Sequence, residues 1–266
     1  MSVLEIRVEG MGFWAPGWPD WNAARAGLRG EGQADPAVVK PSPTSLAAAE
    51  RRRAPLPVLL ACEIAAQACV ASARAADALP SVFVSTHGDL VITDYMCSTL
   101  ASAPRELSPI RFHNSVHNAP AGYWTIAAHC HAASTSISSW HASFAIALFE
   151  AAVQAIADDT PVLLSAYDAE SPGPLAEVSP ASTLFGVAMV IAPCAGSRPD
   201  LRLRLQPSSA GARLSPALPA DFQALASTNP MAAQSLPLLA AIAAGAGGVI
   251  ELAASDQTTL GVELCA

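Results

Sequence analysis

Positive charge is scarce in this chain. Its 266 residues include one lysine, Lys40, and the net charge is −8 at pH 7. Nucleic-acid binding needs clustered positive charge. The only such cluster is Arg51-Arg52-Arg53, so nucleic acid is not an expected partner. Charged residues make up 14% of the chain and aromatic residues 6%, against 52% hydrophobic residues. That balance excludes a disordered chain and leaves ample material for a core. No CxxC pair occurs: Cys62, Cys69, Cys97, Cys130, Cys194 and Cys265 are scattered. A disulfide framework is therefore not expected. The start, Met1-Ser2-Val3-Leu4-Glu5, lacks the basic then apolar pattern of a secretory signal. The apolar stretch Leu56–Ala73 is broken by Glu63 and Gln67, and Pro237–Ile250 is too short to span a bilayer. The expectation is a cytoplasmic protein without a membrane span.

What is present reads as strands alternating with helices. Val3–Val8 alternates as a first strand, ended by Glu9-Gly10-Met11-Gly12. Trp14, Trp18 and Trp21 follow and suit a cap over one end of a core. Residues 30–45 read as loop. Pro57–Ala78 is an alanine-rich helix, Ser81–Ser85 a short buried strand and Leu90–Leu100 a helix. Phe112–Asn118 is read as extended, Ala121–Ala128 as helix, Thr135–Ser139 as strand, Ser143–Ala157 as helix and Pro161–Ala166 as buried strand. Thr183–Ala192 is a further strand. Leu201-Arg-Leu-Arg-Leu205 predicts a strand with one wet face. Residues 207–230 look irregular, Leu236–Ala244 helical and closed by Gly245, and Val249–Ala253 and Leu260–Leu264 like final strands. Such alternation predicts an α/β fold with a largely parallel sheet flanked by helices.

Five of the six histidines lie between His113 and His141. His113 and His117 are four apart, and His129 and His131 flank Cys130. On an extended chain these spacings share a face but span too far for one zinc ion, so no metal and no cofactor is expected. Cys130 between two histidines invites a thiol-nucleophile reading. A reactive thiolate wants a helix start or a nearby cation, whereas Cys130 follows a predicted helix end. Gly245-Ala-Gly-Gly248 has no lysine after it, so it is a poor phosphate loop.

The middle of the chain carries an ordered set of motifs. Ser108-Pro-Ile-Arg-Phe-His-Asn-Ser-Val-His-Asn118-Ala-Pro-Ala-Gly122 resembles the stretch of β-ketoacyl synthases that leads into an Asn-x-x-Ala-Gly helix. Ser134-Thr-Ser-Ile-Ser-Ser-Trp-His-Ala-Ser143 resembles the strand and sharp turn that hold their nucleophile. Leu163–Glu170 resembles the strand that follows in that family, and Phe83–Asp89 an earlier strand and turn. The set spans roughly residues 1–192. The wording Phe-His-Asn-Ser-Val-His-Asn-Ala-Pro-Ala-Gly-Tyr-Trp resembles the short, chain-length-factor-like branch of aryl polyene and xanthomonadin-type pathways.

The resemblance implies a thiolase-like half-fold in a single β-ketoacyl synthase-like domain over 1–266. Its core would be 1–192, with a C-terminal β extension over 193–266. It also exposes a departure. The family's nucleophilic cysteine falls on His141, or on Trp140 with a one-residue shift, and neither forms the acyl thioester that condensation requires. No histidine follows His141, so the second-half histidines of active synthases have no counterpart. No catalytic residue is expected. The implied role is a chain-length-factor-type subunit that pairs with an active β-ketoacyl-ACP synthase and bounds its acyl tunnel, with Trp140, His141 and Phe144 as wall residues. The implied interface is a strand of Phe112, His113, Asn114, Ser115, Val116, His117 and Asn118 pairing across a two-fold axis. Acyl carrier protein would reach the pair through the active partner, and a homodimer would form when the chain is alone. Two other readings stand: an acyltransferase or hydrolase using His141 or Cys130, and a homodimeric binding or scaffold protein.

Overall fold

The computed structural model describes residues 3–194, 201–207 and 214–265. From the N-terminus come β1 (Leu4–Trp14), α1 (Trp21–Leu28), α2 (Ala48–Arg53), α3 (Leu56–Ser72) and β2 (Ser81–Val84). Then follow α4 (Leu90–Ser102), α5 (Pro109–His113), α6 (Ala119–Ala127), β3 (Ser134–Ile137), α7 (Ser143–Ala157) and β4 (Val162–Asp168). The last third holds α8 (Leu175–Val178), β5 (Phe185–Pro193), β6 (Leu201–Pro207), α9 (Ala220–Thr228), α10 (Pro230–Ala244), β7 (Gly248–Ala253) and β8 (Thr259–Cys265). All the strands form one sheet in the order β3-β2-β4-β5-β1-β6-β8-β7.

The apolar strands are buried on both faces, and their period-2 geometry sorts them into two cores. Val82 and Val84 of β2, Val162 and Leu164 of β4, and Val187 and Met189 of β5 share one core with α7 and α10. Phe83, Leu163, Tyr167 and Val190 point the other way and share a second core with α3 and Trp124 of α6. By length and composition, Trp140–Ala157 is apolar enough to cross a membrane. Here α7 is a core helix, with Phe144, Leu148 and Ala151 fully buried against the sheet.

β1 does not stop at Gly10. It runs on to Trp14, because the glycines that suggested a turn are instead where α3 lies on the strand backbone. A methyl group on Gly10 would fall 2.4 Å from the Ser72 nitrogen, and one on Gly12 would fall 2.1 Å from the Ile64 carbonyl oxygen. Only a residue without Cβ permits that approach. Gln67 of α3 locks the seat, accepting the Phe13 N–H at 3.0 Å and donating to the Pro19 carbonyl at 2.8 Å. The tryptophan segment does cap a core end: Trp14 and Trp18 are buried, and Trp18 packs on Phe222 of α9 with ring centroids 4.8 Å apart.

Three expectations need correction. Parallel pairing is confined to β3-β2-β4, and five of the seven strand pairings among the described residues are antiparallel. The segment Phe112–Asn118 is not a strand. The Ser108 hydroxyl caps α5 by accepting the Arg111 N–H, Pro109 occupies its first turn, and the chain is helical through His113 before turning through Asn118. Residues 207–230 hold a helix, α9, and α10 begins at Pro230, capped by Asn229, not at Leu236. Residues 208–213 of that stretch lie outside the described ones. The wet face of β6 is as its alternation predicts: Leu203 and Leu205 are buried, while Arg202 and Arg204 are exposed and Arg204 pairs with Glu5 at 2.7 Å.

Gly12→Ala is expected to destabilise the fold by about 1–3 kcal/mol through overpacking. Gly122→Ala, inside α6 with open space around the added methyl, should be neutral or stabilising by about 0.5–1 kcal/mol. Urea unfolding midpoints of the two variants test the pair.

Candidate functional site: the strand-to-helix elbow

β3 ends at Ile137, and six residues later α7 begins. Between them Ser138 and Ser139 lead into a single 3₁₀ turn, Trp140–Ala142. The sharpest point is Trp140, whose φ is +48°. Left-handed backbone at a bulky residue is strained and persists only where neighbours enforce it. The Trp140 indole is 42% exposed. Its ring meets His87 edge-on at 4.5 Å and His141 edge-on at 5.0 Å between centroids. Burial and the nearby His141 hold the His87 imidazole below the usual histidine range, so His87 meets the indole edge as a neutral ring near pH 7. His141 is exposed and borders a small cavity of about 210 Å³ shared with Thr86, Ser179, Ser227 and Asn229.

A buried carboxylate lies beneath the turn. Asp168 ends β4 with one oxygen accepting the Thr86 N–H at 2.8 Å. The other accepts the Thr86 hydroxyl at 2.6 Å and the Met231 N–H at 3.1 Å. Asn229 donates to the Asp168 and Thr183 carbonyls and caps α10 through the Ala232 N–H. Thr86 in turn accepts the Ser138 hydroxyl through its carbonyl. The elbow, the ends of β2 and β4, and the start of α10 are therefore one hydrogen-bonded unit. Burial pushes Asp168 up to about 6, against the pull of the Thr86 and Met231 donors.

The other residues singled out from sequence are spread apart. Phe144, expected as a wall residue, is fully buried in the chain's own core. Phe112 and Val116 are more than half exposed, whereas Asn114 is buried and accepts the Tyr123 hydroxyl. His113, Ser115 and Asn118 lie on the surface of the same turn. His113, Val116 and Asn118 help line a groove of about 760 Å³ between the 44–47 loop and α6. The His117 ring lies within hydrogen-bond reach of the Ser85 hydroxyl, 3.3 Å away. Cys130 is buried at the other end of β3, with its thiol on the Leu79 carbonyl at 3.4 Å. At about 3.3 Å per strand residue, the length of β3 separates it from the elbow. His129 and His131 point to solvent. Among the described residues no group of three His, Cys, Asp or Glu side chains is placed to hold a metal ion.

Sequence reading missed His87, Thr86, Asp168 and Asn229. Asp168 carried a faint signal, a carboxylate closing an otherwise apolar strand. The contacts of the others join segments roughly 50 to 80 residues apart and leave no local trace.

The fold, with a strained strand-to-helix turn at the sheet's parallel end, is that of thiolase-like synthases. Residues 18–251 match the family model described as "Beta-ketoacyl synthase, N-terminal domain", and the chain belongs to that family. Among solved structures it is similar to "Ketosynthase (ApeO) in Complex with its Chain Length Factor (ApeC) from Xenorhabdus doucetiae". That match has 23% identity and a TM-score of 0.71, covering 98% of this chain and 99% of that one. It is also similar to a type II polyketide synthase complex, "AntDE:AntF", of a ketosynthase with its acyl-carrier protein. There the identity is 12% and the TM-score 0.70, with full coverage of both chains. A β-ketoacyl synthase from Burkholderia phymatum STM815 aligns with 13% identity and a TM-score of 0.57 over 86% of this chain and 70% of that one. At these identities the likeness is one of fold. Comparison with curated protein sequences gives no match.

Between about pH 4 and 6 folded Asp168 keeps a proton that an ordinary aspartate, near 3.8, has released. Its contribution to stability is therefore full at low pH and falls as pH rises through that window. The interval from 3.8 to about 6 corresponds to about 3 kcal/mol. Asp168→Asn is expected to flatten this slope. By turning an amide N–H toward a backbone N–H, it should also lower stability at pH 4 by about 1–3 kcal/mol. Urea midpoints between pH 4 and 7 check both outcomes.

Proposed function

We propose that this chain is a ketosynthase-like subunit of the chain-length-factor type, which pairs with an active β-ketoacyl-ACP synthase and forms part of the wall of its acyl tunnel. The observation that carries the proposal is the elbow itself. At the turn where the family holds its thiol stand Trp140 and His141, and Cys130 is buried at the opposite end of β3. Neither an indole nor an imidazole replaces the thiolate in thioester exchange and condensation. Both residues are exposed at the elbow, so they suit a surface offered to another subunit's substrate. A bulky wall rejects each further methylene by roughly 10- to 200-fold, which sets chain length by exclusion. The fold neighbour containing a ketosynthase with its chain length factor supports this reading by analogy of architecture.

The partner surface has its own support. Among the described residues β3 is a sheet edge, paired on one side only, and an open edge invites another strand. Val91, Leu100, Ile110, Phe112, Val116 and Ile126 are exposed on or beside α4, α5 and α6. In this proposal the Phe112–Asn118 turn contributes side chains to the interface, and β3 contributes the edge. Acyl carrier protein would act through the active partner, in the cytoplasm.

A second reading has one observation in its favour: His141 opens onto a cavity lined by hydroxyl and amide groups. It would make the chain a hydrolase or acyltransferase with an imidazole base. Asp168 does not serve as that base's carboxylate, because both its oxygens are spent on Thr86 and Met231.

Co-expression with the active ketosynthase of the same organism is expected to yield a heterodimer by size-exclusion chromatography with light scattering. Intact mass spectrometry during turnover should place acyl groups on the partner's cysteine and none on this chain. Trp140→Ala and His141→Ala should leave the rate within a few-fold and lengthen the product by at least one two-carbon unit. An acyl adduct on this chain, or no complex, would overturn the proposal. Loss of turnover in His141→Ala without any change in product length would favour the second reading.

Ile126 is 78% exposed, so Ile126→Asp should spare the fold of this chain. It is expected to weaken the heterodimer at least tenfold, as burying an unpaired charge in an interface does. A titration by fluorescence anisotropy reads the difference.

A further inference from the structure

The elbow is poorly supported by its own segment. Trp140 holds a left-handed backbone without being glycine. The position before α7 is Ala142, which has no side chain to cap the helix, and the first N–H groups of a helix need partners from elsewhere. Ser143 ties the turn to itself but caps no helix N–H: its hydroxyl accepts the Ser139 N–H at 2.9 Å and donates to the Trp140 carbonyl at 2.8 Å. One of those N–H groups is met by a residue 90 positions away in sequence. Gln234, on the second turn of α10, accepts the Phe144 N–H through its amide oxygen at 2.9 Å. Its amide nitrogen reaches the Trp140 carbonyl at 3.4 Å. A carboxamide carries an acceptor and donors on one planar group without charge, so one side chain grips both sides of the turn.

We infer that Gln234 is a positioning residue: it clamps the Trp140 turn to α10 and so sets where the Trp140 ring stands. The inference rests on the reading of Trp140 as a tunnel wall and gives the C-terminal third a part in that wall. The clamp has a firm base. α10 is capped by Asn229 and tied to Asp168 through the Met231 N–H, and its Leu236, Leu238 and Leu239 are fully buried. Without Gln234, the Trp140 carbonyl keeps only Ser143, and the Phe144 N–H has no partner in this structure. The strained turn then has freedom to relax, and the indole moves with it.

The test uses the complex with the active ketosynthase, labelled with 5-fluorotryptophan and observed by ¹⁹F NMR. The Trp140 resonance is assigned with Trp140→Phe, leaving the chain's other four tryptophans of five as internal controls. Gln234→Ala is expected to shift or broaden the Trp140 resonance alone. Gln234→Glu keeps an acceptor for the Phe144 N–H but loses the donor to Trp140, and should give a smaller change. In product analysis, Gln234→Ala should lengthen chains as Trp140→Ala does, and the double variant should go no further than Trp140→Ala. An unchanged Trp140 resonance, or an equal change in all the tryptophans, overturns the clamp. A wild-type product profile in Gln234→Ala, alongside longer products in Trp140→Ala, overturns its part in the wall. A responsive Trp140 resonance with no lengthening in either variant upholds the clamp and rejects the wall reading on which it was built.

Discussion

Asp168 stands where β4 ends, and it spends both carboxylate oxygens on three donors from two distant segments: the Thr86 N–H and hydroxyl, and the Met231 N–H. Buried carboxylates survive only when such donors are fixed in place. The donors therefore hold the carboxylate, and the carboxylate holds them. Thr86 continues to the elbow through Ser138, and Met231 belongs to the helix that carries Gln234. The first two-thirds of the chain and its C-terminal third thus meet at a polar junction where β2, β4 and α10 come together. The elbow's shape follows from that junction more than from its own residues.

The turn between β3 and α7 displays aromatic surface. A strand-to-helix elbow pushes one side chain outward whatever its chemistry. In this chain that side chain is an indole, braced edge-on by His87 and His141. On the proposed reading the elbow keeps its shape without a thiol, and the subunit would contribute form to a reaction run by its partner. Ile126, left exposed on α6, suits the proposed partner role, since α6 packs on β3 at the open edge of the sheet.

The architecture was largely legible where burial is periodic. Ser143–Ala157 is a helix with the expected bounds, and the short strands at 81, 134 and 162 were visible as apolar runs between turn residues. β1 misled because its glycines resemble a turn when the neighbouring helix is unseen. Phe112–Asn118 misled because its residues read as extended when the Ser108–Pro109 helix start just before them is not weighed. The parallel share of the sheet was overstated because alternation of strands and helices does not fix strand direction. At the site, Trp140 and His141 were found from motif order. Asp168, His87 and Gln234 were not, because their importance lies in contacts across the fold.

The two margins of the sheet differ in what they offer a neighbour. At the β7 margin the Leu214 N–H already bonds the Val249 carbonyl, and Arg204 of β6, with Glu5 and Glu263, lays charge across the adjoining face. The β3 margin has no such cover among the described residues. A molecule that accepts company along one border and refuses it along the other stops growing once that border is filled. If assembly proceeds through β3, it closes at a pair and does not run on into a filament.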